Sequence, residues 1–280
     1  MEFNIILLVL GAALLHAVWN ASVKFTGDPL ISVSGISVFG SFAAMLTLPF
    51  VGWPDINIWP WLLVSITLHT LYLITLSSAY QCGDYSLVYP VARGTAPVFI
   101  ALASLFILND DVSNNQWIGI IGIIAGVGLY AFHRLGRMMD NKKCLVLSML
   151  TAMLIASYSI IDGLATRAAV DPFQFICYLI FLEFIPILLY TRLRRGPEVY
   201  QFIVINWKTL VLSGVMAAIG YSVVMWAMSK APIVLVTTLR DTSIIFAALI
   251  GMFYFKESGG WRRIVAAILI FVSVVFMNIA

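Results

Sequence analysis

The sequence predicts an all-α integral membrane protein of ten transmembrane helices, arranged as two five-helix repeats of opposite orientation. Of its 280 residues, 62% are hydrophobic and only 10% are charged, and a soluble domain has no interior large enough for so much apolar surface. Ten apolar runs each approach the ~20 residues that a bilayer core requires. The motif R-x-T-x-x-x-F-x-A-L-x-x-x-F occurs at 93–106 and again at 240–253, which indicates an internal repeat.

Turn-forming sequences separate the apolar runs, for example Gly27-Asp28-Pro29 and Arg195-Gly196-Pro197. Tryptophans such as Trp59 and Trp207 stand at segment ends, where an interfacial aromatic belt is expected. The first run has neither a basic region before it nor a small-residue cleavage site, so we expect it to be retained as a helix. The ten helices are predicted at 3–23, 30–51, 58–80, 85–108, 114–132, 144–167, 173–191, 208–229, 232–255 and 261–279.

Lysines and arginines predict the orientation in the membrane. We name side A the face on which the first helix begins and side B the face on which it ends. Of the 16 Lys and Arg residues, twelve fall in side-B connections, Arg167 and Lys230 fall on side A, and Arg93 and Arg240 lie inside helices. Because basic loops stay in the cytoplasm, side B is predicted to be cytoplasmic. We therefore expect an inner (plasma) membrane protein with both termini outside the cytoplasm.

The basic connection at 133–143 divides the chain into two predicted repeats, 1–140 and 141–280. The pair Asp28-Pro29 near the start of the second helix returns as Asp171-Pro172 near the start of the seventh. Five is an odd number, so the two halves must enter the membrane in opposite senses. Inverted repeats are typical of secondary transporters, whose substrate site lies between the repeats near the bilayer midplane.

Several stretches resemble the drug/metabolite transporter superfamily, specifically its EamA-type ten-helix carriers. They are 15–20, Tyr89-Pro90 through Phe106, 116–119, 158–163, Ala231-Pro232 through Phe246, and Lys256-Glu257. The resemblance covers essentially the whole chain and implies two five-helix repeats. Carriers of this kind move amino acids, sugars, nucleotide precursors or drugs, so the substrate stays open. Members are usually drawn with cytoplasmic termini, whereas the distribution of lysine and arginine here predicts the reverse.

Arg93 and Arg240 are the first candidate site residues, because a charge at bilayer depth costs several kcal/mol unless it is paired or faces water. A guanidinium can bind a substrate carboxylate or phosphate with two hydrogen bonds. Alternatively, each arginine pairs with an internal acid, for which Asp162, Glu183 and Asp241 are available. Two arginines against three carboxylates leave one negative charge or one proton, which makes proton coupling physically possible.

Polar side chains on one helical face supply the rest of the predicted cavity. His16, Trp19 and Asn20 share a face of the first helix, and Tyr158 shares one with Asp162 in the sixth. Each set could instead form hydrogen bonds between helices. The full predicted substrate-binding set is His16, Trp19, Asn20, Tyr89, Arg93, Tyr158, Asp162, Thr238, Arg240 and Asp241.

Three further features of the sequence lie outside this substrate-binding set. We interpret His69 and Tyr72 chiefly as packing residues of the third helix, with a part in the pocket wall as the alternative. We interpret Glu183 chiefly as a partner in an interhelical hydrogen bond, with contact to substrate or a proton as the alternative. Pro90, Gly94 and Pro97 predict a kink in the fourth helix where Arg93 lies. The ninth helix carries its only proline at its start and is predicted to be less interrupted.

The chain lacks a G-x-x-x-x-G-K-[ST] loop, an H-E-x-x-H pair and a G-x-S-x-G elbow, and its three cysteines have no metal-ligand spacing. We therefore expect neither an enzyme nor a cofactor, a metal site or a nucleic-acid partner. The prediction is a secondary active transporter working by alternating access, which exports a small metabolite that is amino-acid-like or anionic, with protons as the coupling ion. A flippase for a lipid-linked intermediate and a non-transporting accessory subunit are the alternatives. The oligomeric state stays open.

Overall fold

The fold is that of a computed structural model, which describes residues 1–82, 85–108, 112–139, 141–253 and 261–276. Within these ranges every regular element is helical. The turn residues Gly83-Asp84, 109–111 and 258–260, together with Lys256-Glu257, lie outside the described residues. The helices are α1 (Phe3–Thr26), α2 (Pro29–Met45), α3 (Leu48–Val51), α4 (Trp59–Cys82), α5 (Tyr85–Ala103), α6 (Asn114–Met139), α7 (Lys142–Ala168), α8 (Pro172–Leu182), α9 (Phe184–Arg195), α10 (Glu198–Ile205), α11 (Trp207–Met228), α12 (Ile233–Asp241), α13 (Ser243–Phe253) and α14 (Trp261–Phe276).

The described helices group into ten spans, as predicted. The pairs α2–α3, α8–α9 and α12–α13 each form one interrupted span, and α10 is a short additional helix that precedes α11. Among the described residues, five helical stretches are long and apolar enough to span a membrane by themselves: Phe3–Val23, Ile56–Cys82, Lys142–Ala168, Pro172–Arg195 and Trp207–Met228. The protein is therefore a multi-pass membrane protein.

The fourth span is one helix where the sequence predicts a kink. Helix α5 runs through Pro90, Arg93 and Pro97 from Tyr85 to Ala103, and it becomes a π-helix only at Ser104–Leu108. A helix can bend at a proline without ending there, so the kink at Arg93 stays a prediction. The ninth span, expected to be the less interrupted one, breaks at Thr242 between α12 and α13.

Side-chain contacts between connections agree with an alternating path of ten crossings. Residues that the predicted path brings to the same side of the membrane are hydrogen-bonded to each other, on side B as well as on side A. The side-B contacts are Arg195 Nε to Asp28 Oδ2 (2.7 Å) and Asn141 Nδ2 to the Cys82 carbonyl (3.0 Å). The side-A contacts are Gln174 Nε2 to the Val51 carbonyl (3.2 Å) and Arg167 Nε to the Met228 carbonyl (3.0 Å).

The two halves pack around an approximate two-fold relation. Helix α1 packs against α11, and its counterpart α7 packs against α4 in the same way. Helix α5 contacts α7, while α12 and α13 contact α1, and the last spans of the two halves, α6 and α14, pack on each other. Asp28 and Asp171 both accept backbone N–H groups at the start of their helices, each followed by proline, as an internal repeat requires.

Two apolar layers make up most of the core. The layer toward side A includes Ile5, Leu62 and Phe175, and the layer toward side B includes Val33 and Leu210. Polar and charged side chains concentrate between these layers, halfway along the spans. The fold thus places a polar level at the middle of the membrane, with packed apolar side chains on either side of it.

Candidate functional site

A cavity of about 70 Å³ lies at this polar level, among α1, α2, α4, α7, α11 and the junction of α8 with α9. Four aromatic side chains form much of its wall: Trp19, Tyr72, Tyr158 and Tyr221. Three titratable side chains also line it: His16, His69 and Glu183. The cavity is smaller than the 300–1,000 Å³ typical of ligand pockets, so a solute of more than a few atoms requires its walls to move apart.

The aromatic rings of the wall contact each other. The rings of His69 and Tyr158 are 4.2 Å apart between centroids, and Tyr72 meets Tyr158 edge-on at 5.2 Å. Tyr221 lies edge-on to both His69 and Tyr158, at 5.3 and 6.0 Å. These distances are those of favourable aromatic pairs. The rings come from three different helices, so their mutual packing fixes the shape of the cavity.

His69 lies between two acids, and we call these three residues the acid–histidine group. Its Nε2 is 2.9 Å from Asp162 Oδ2, and its Nδ1 is 3.5 Å from Glu183 Oε2. The hydroxyls of Ser65 and Tyr221 also donate hydrogen bonds to Asp162. Asp162 is fully buried, whereas Glu183 is partly exposed to the cavity.

The acid–histidine group has more acceptors around His69 than a neutral ring has protons. A neutral imidazole has one N–H and one lone pair, yet both ring nitrogens of His69 face carboxylate oxygens. Asp162 already accepts from the hydroxyls of Ser65 and Tyr221 and lies at hydrogen-bond distance from His69 Nε2. An additional proton on His69 or on Glu183 would therefore serve the 3.5 Å contact between His69 Nδ1 and Glu183 Oε2.

Behind His16, away from the cavity, Arg93, Arg240 and Asp241 form the arginine cluster. Arg93 Nη1 donates to Asp241 Oδ1 at 3.0 Å, and Arg240 Nε lies 3.6 Å from the same oxygen. Arg240 Nη2 reaches Ser159 Oγ at 3.4 Å. All three members are buried. Among the described residues, Arg240 Nε and Nη1 and Asp241 Oδ2 have no hydrogen-bond partner.

His16 connects the arginine cluster to the cavity. Its Nδ1 faces the indole N–H of Trp19 at 3.2 Å, and its Nε2 contacts Arg93 Nη2. Asn20 donates from Nδ2 to the His16 carbonyl at 2.9 Å, which fixes the amide on the same helix. His16 thus lies between a cavity wall and a buried ion pair.

The predicted site residues fall into four groups. His16, Trp19 and Tyr158 line the cavity, Asp162 lies directly behind His69, and the other predicted charges form the arginine cluster. The remaining predicted residues bond to other parts of the protein: Asn20 to the α1 backbone, Tyr89 Oη to Ser243 Oγ (3.1 Å), and Thr238 Oγ1 to the Val234 carbonyl (2.6 Å). Contact of any of these residues with substrate stays a prediction.

Four aromatic or titratable residues that line the cavity are missing from the predicted substrate-binding set: His69, Tyr72, Glu183 and Tyr221. Ser65, His69 and Tyr72 recur at i, i+4 and i+7 along α4, a polar stripe that could have indicated an inward face. Glu183 is an ionisable residue inside an apolar run, which by itself marks a functional candidate. Tyr221 gives no such signal, because a single tyrosine in a membrane helix is unremarkable in sequence.

Comparison with known proteins agrees with this architecture. The sequence profile described as "EamA-like transporter family" matches residues 3–132 and again 142–279. The chain belongs to the EamA-like transporter family. Each EamA-like match contains five of the ten spans, so the protein is a transporter built from two repeats. The family implies a small-molecule substrate and a bilayer environment.

A solved structure described only as "Crystal structure of protein" is similar to this EamA-like chain over its full length. The TM-score is 0.74 at 15% identity, and the match covers 100% of this chain and 98% of the other. At that identity the likeness shows the fold alone. None of the curated proteins compared with the sequence matches it.

Proposed function

We propose that this protein is a secondary carrier of the inner membrane that exports a small, amine-bearing, amino-acid-like solute in exchange for protons. The observation that carries the proposal is the position of Glu183, whose carboxylate lines the aromatic-walled cavity and also faces His69 at 3.5 Å. One carboxylate can therefore serve either a solute cation or a proton.

The cavity wall suits an ammonium group. Tyrosine and tryptophan faces attract a cation through their ring quadrupoles, by about 0.5–2 kcal/mol, and Glu183 supplies the compensating charge. The arginines, by contrast, lie behind His16, and Arg93 already donates to Asp241. This favours an amine over a purely anionic solute.

Exchange follows from competition at Glu183. In the proton-bound state of the proposed exchange, the additional proton lies between His69 and Glu183. An ammonium group that enters the cavity needs the ionised form of Glu183, so the proton must leave as the amine binds. Asp162 keeps its hydrogen bonds from Ser65 and Tyr221 in either case and holds the ring of His69 in place. A proton gradient directed inward then drives the amine outward.

Alternating access requires the apolar layers on side A and side B to open in turn. One seam of the bundle is the crossing of α2 and α11, where glycines meet backbone to backbone. A Cβ added at Gly214 would come within 2.7 Å of the Gly40 nitrogen, so the backbones are already at contact distance. We propose that this seam separates when the cavity opens, and that side B, which carries most of the lysines and arginines, is the cytoplasmic side.

The lipid-linked alternative needs a place for an acyl chain next to an anionic head group. An apolar groove of about 520 Å³ between α3, α4 and α8 could hold a chain. Among the described residues, however, no charged side chain lines this groove, so a lipid phosphate has no partner there. We therefore favour the water-soluble amine.

The test measures proton release on binding. Amines and amino acids are added to the purified protein in weakly buffered detergent solution with a pH indicator, and we expect one proton released for each amine bound. Glu183→Gln removes the ionisable carboxyl, so it should bind the amine more weakly, release no proton, and show no transport driven by a pH gradient in liposomes. Glu198→Gln, which alters an exposed acid of α10, is the control and should behave as the unmodified protein. Binding without proton release in the unmodified protein would contradict the exchange.

A further inference from the structure

The hydrogen-bond donors around His16 exceed what an imidazole can accept. Trp19 Nε1–H points at Nδ1 at 3.2 Å, and the Nη2 group of Arg93 contacts Nε2. Both neighbours are obligatory donors, whereas a neutral imidazole has a single acceptor nitrogen and an imidazolium has none. One of these two N–H groups therefore lacks an acceptor among the described protein atoms.

Nearby acceptors do not remove this mismatch. Asp241 Oδ1 accepts from Arg93 Nη1, the other nitrogen of the guanidinium. Two of the buried oxygens without a hydrogen bond, Asn20 Oδ1 and Asp241 Oδ2, belong to residues that contact His16 or Arg93, and neither accepts from Trp19 or from Arg93 Nη2. A buried donor without an acceptor costs about 1–3 kcal/mol, so this end of the cavity gains from any ligand that brings an acceptor.

We propose that His16 and Trp19 form a carboxylate subsite, and hence that the solute is a zwitterion rather than a simple amine. This inference rests on the proposed carrier function. A carboxylate offers two acceptor oxygens and no donor. With one in the cavity, Trp19 Nε1–H donates to the first oxygen and His16 Nδ1–H to the second. The Nε2 of His16 then accepts from Arg93, and every N–H group has a partner.

In this arrangement Arg93 acts on the solute through His16 and does not contact the solute itself. The guanidinium holds His16 in the tautomer that carries its proton on Nδ1, toward the cavity, and its charge favours an anionic group nearby. Arg93 is thus a positioning residue, and Asp241 in turn orients Arg93.

The cavity then has two unlike ends. His16 and Trp19 provide donors from α1, while Glu183 provides an acceptor from the junction of α8 and α9, and all three line one cavity of about 70 Å³. A solute that uses both ends of one cavity carries an ammonium group and a carboxylate, and an α-amino acid is the smallest common solute that does so.

The test compares the affinities of matched ligands for the purified protein in detergent. Each set consists of an α-amino acid, its amide and the corresponding amine without a carboxyl group, for example phenylalanine, phenylalaninamide and phenethylamine, or alanine, alaninamide and ethylamine. We expect the amino acid to bind at least about tenfold more tightly than its amide, because a charge-assisted hydrogen bond is worth about 1.5–3 kcal/mol. Trp19→Phe keeps an aromatic face but removes the N–H, and it should lose most of that preference because its affinity falls more for the amino acid than for the amine. Trp207→Phe, which removes an exposed indole outside the cavity, should keep the preference.

Each result decides the proposal. Equal binding of acid and amide by the unmodified protein would overturn the subsite, and amine binding with proton release would leave the exchange function standing. A carboxylate preference that survives in Trp19→Phe would overturn the assignment to Trp19 and His16. If the unmodified protein binds none of the amines in the series, both the subsite and the exchange function fail.

Discussion

Arg93 and Arg240 occupy equivalent positions in the two repeats, yet their surroundings differ. Each is buried and each reaches the first helix of its own repeat, Arg93 at His16 and Arg240 at Ser159. His16 and Ser159 are separated by the same number of residues as Asp28 and Asp171, which both cap the second span of their repeat. The scaffold therefore presents the two guanidinium groups in matching places.

The two arginines differ in the residue that follows each of them in the sequence. Gly94 follows Arg93, whereas Asp241 follows Arg240 and pairs across the repeats with Arg93. As a result Arg93 has a hydrogen-bonded carboxylate, while Arg240 approaches the same oxygen only to 3.6 Å. The repeat thus duplicates the backbone and not the charges. In the polar level described here, the excess positive charge of the arginine cluster is balanced by the excess negative charge of the acid–histidine group when His69 is protonated.

Removing the shared acid tests the cluster most severely. Asp241→Asn leaves two buried guanidinium groups without a compensating charge, and we expect a loss of about 3–5 kcal/mol in the free energy of unfolding. The measurement is equilibrium unfolding in mixed micelles. Thr238→Val on the same helix is the control, because the Thr238 hydroxyl bonds only to its own helix in the described structure, and its loss should be below about 1.5 kcal/mol. If Asp241→Asn costs no more than the control, the cluster is held by something other than this carboxylate.

The two arginines should respond unequally to the same substitution. Arg93→Gln removes the cation that Asp241 is bonded to, and we expect a loss of about 2–4 kcal/mol. Arg240→Gln removes a buried guanidinium with two unsatisfied nitrogens among the described residues, so we expect less than about 1 kcal/mol of loss, or even a gain. Unfolding of both variants under identical conditions gives the difference directly. Equal losses would show that the repeats are electrostatically equivalent despite Gly94.

The sequence predicts features that depend on local composition better than features that depend on how helices meet. Ten spans and two repeats follow from hydropathy and from the repeated motif, because the bilayer requires each apolar run to form its own hydrogen bonds. Arg93, Arg240 and Asp162 are candidates for the same kind of reason, since an ionisable group in lipid needs a partner.

Which charged side chains pair with each other, by contrast, depends on the register and rotation of the helices that carry them. Three acids were available to Arg93, and nothing local to the chain selects Asp241 over Asp162. The role of His69 becomes clear only when α4, α7 and the α8–α9 junction bring two acids to one ring. The break in the ninth span at Thr242 likewise has no local signal, since the residues around it contain no proline.

The two aspartates that cap helices, Asp28 and Asp171, give the comparison of the repeats with the smallest expected effect. Asp28 and Asp171 each accept backbone N–H groups at a helix start, but Asp28 also accepts from Arg195 Nε at 2.7 Å. Replacing either by alanine should cost about 1 kcal/mol for the lost cap. Asp28→Ala should cost up to about 1 kcal/mol more, a small increment because the ion pair is partly exposed to solvent and screened. Unfolding at low and high salt separates the two contributions, since only the Asp28 increment should shrink as salt is added. An equal cost for both variants at low salt would mean that the ion pair contributes nothing and that the two caps, unlike the two arginines, are equivalent.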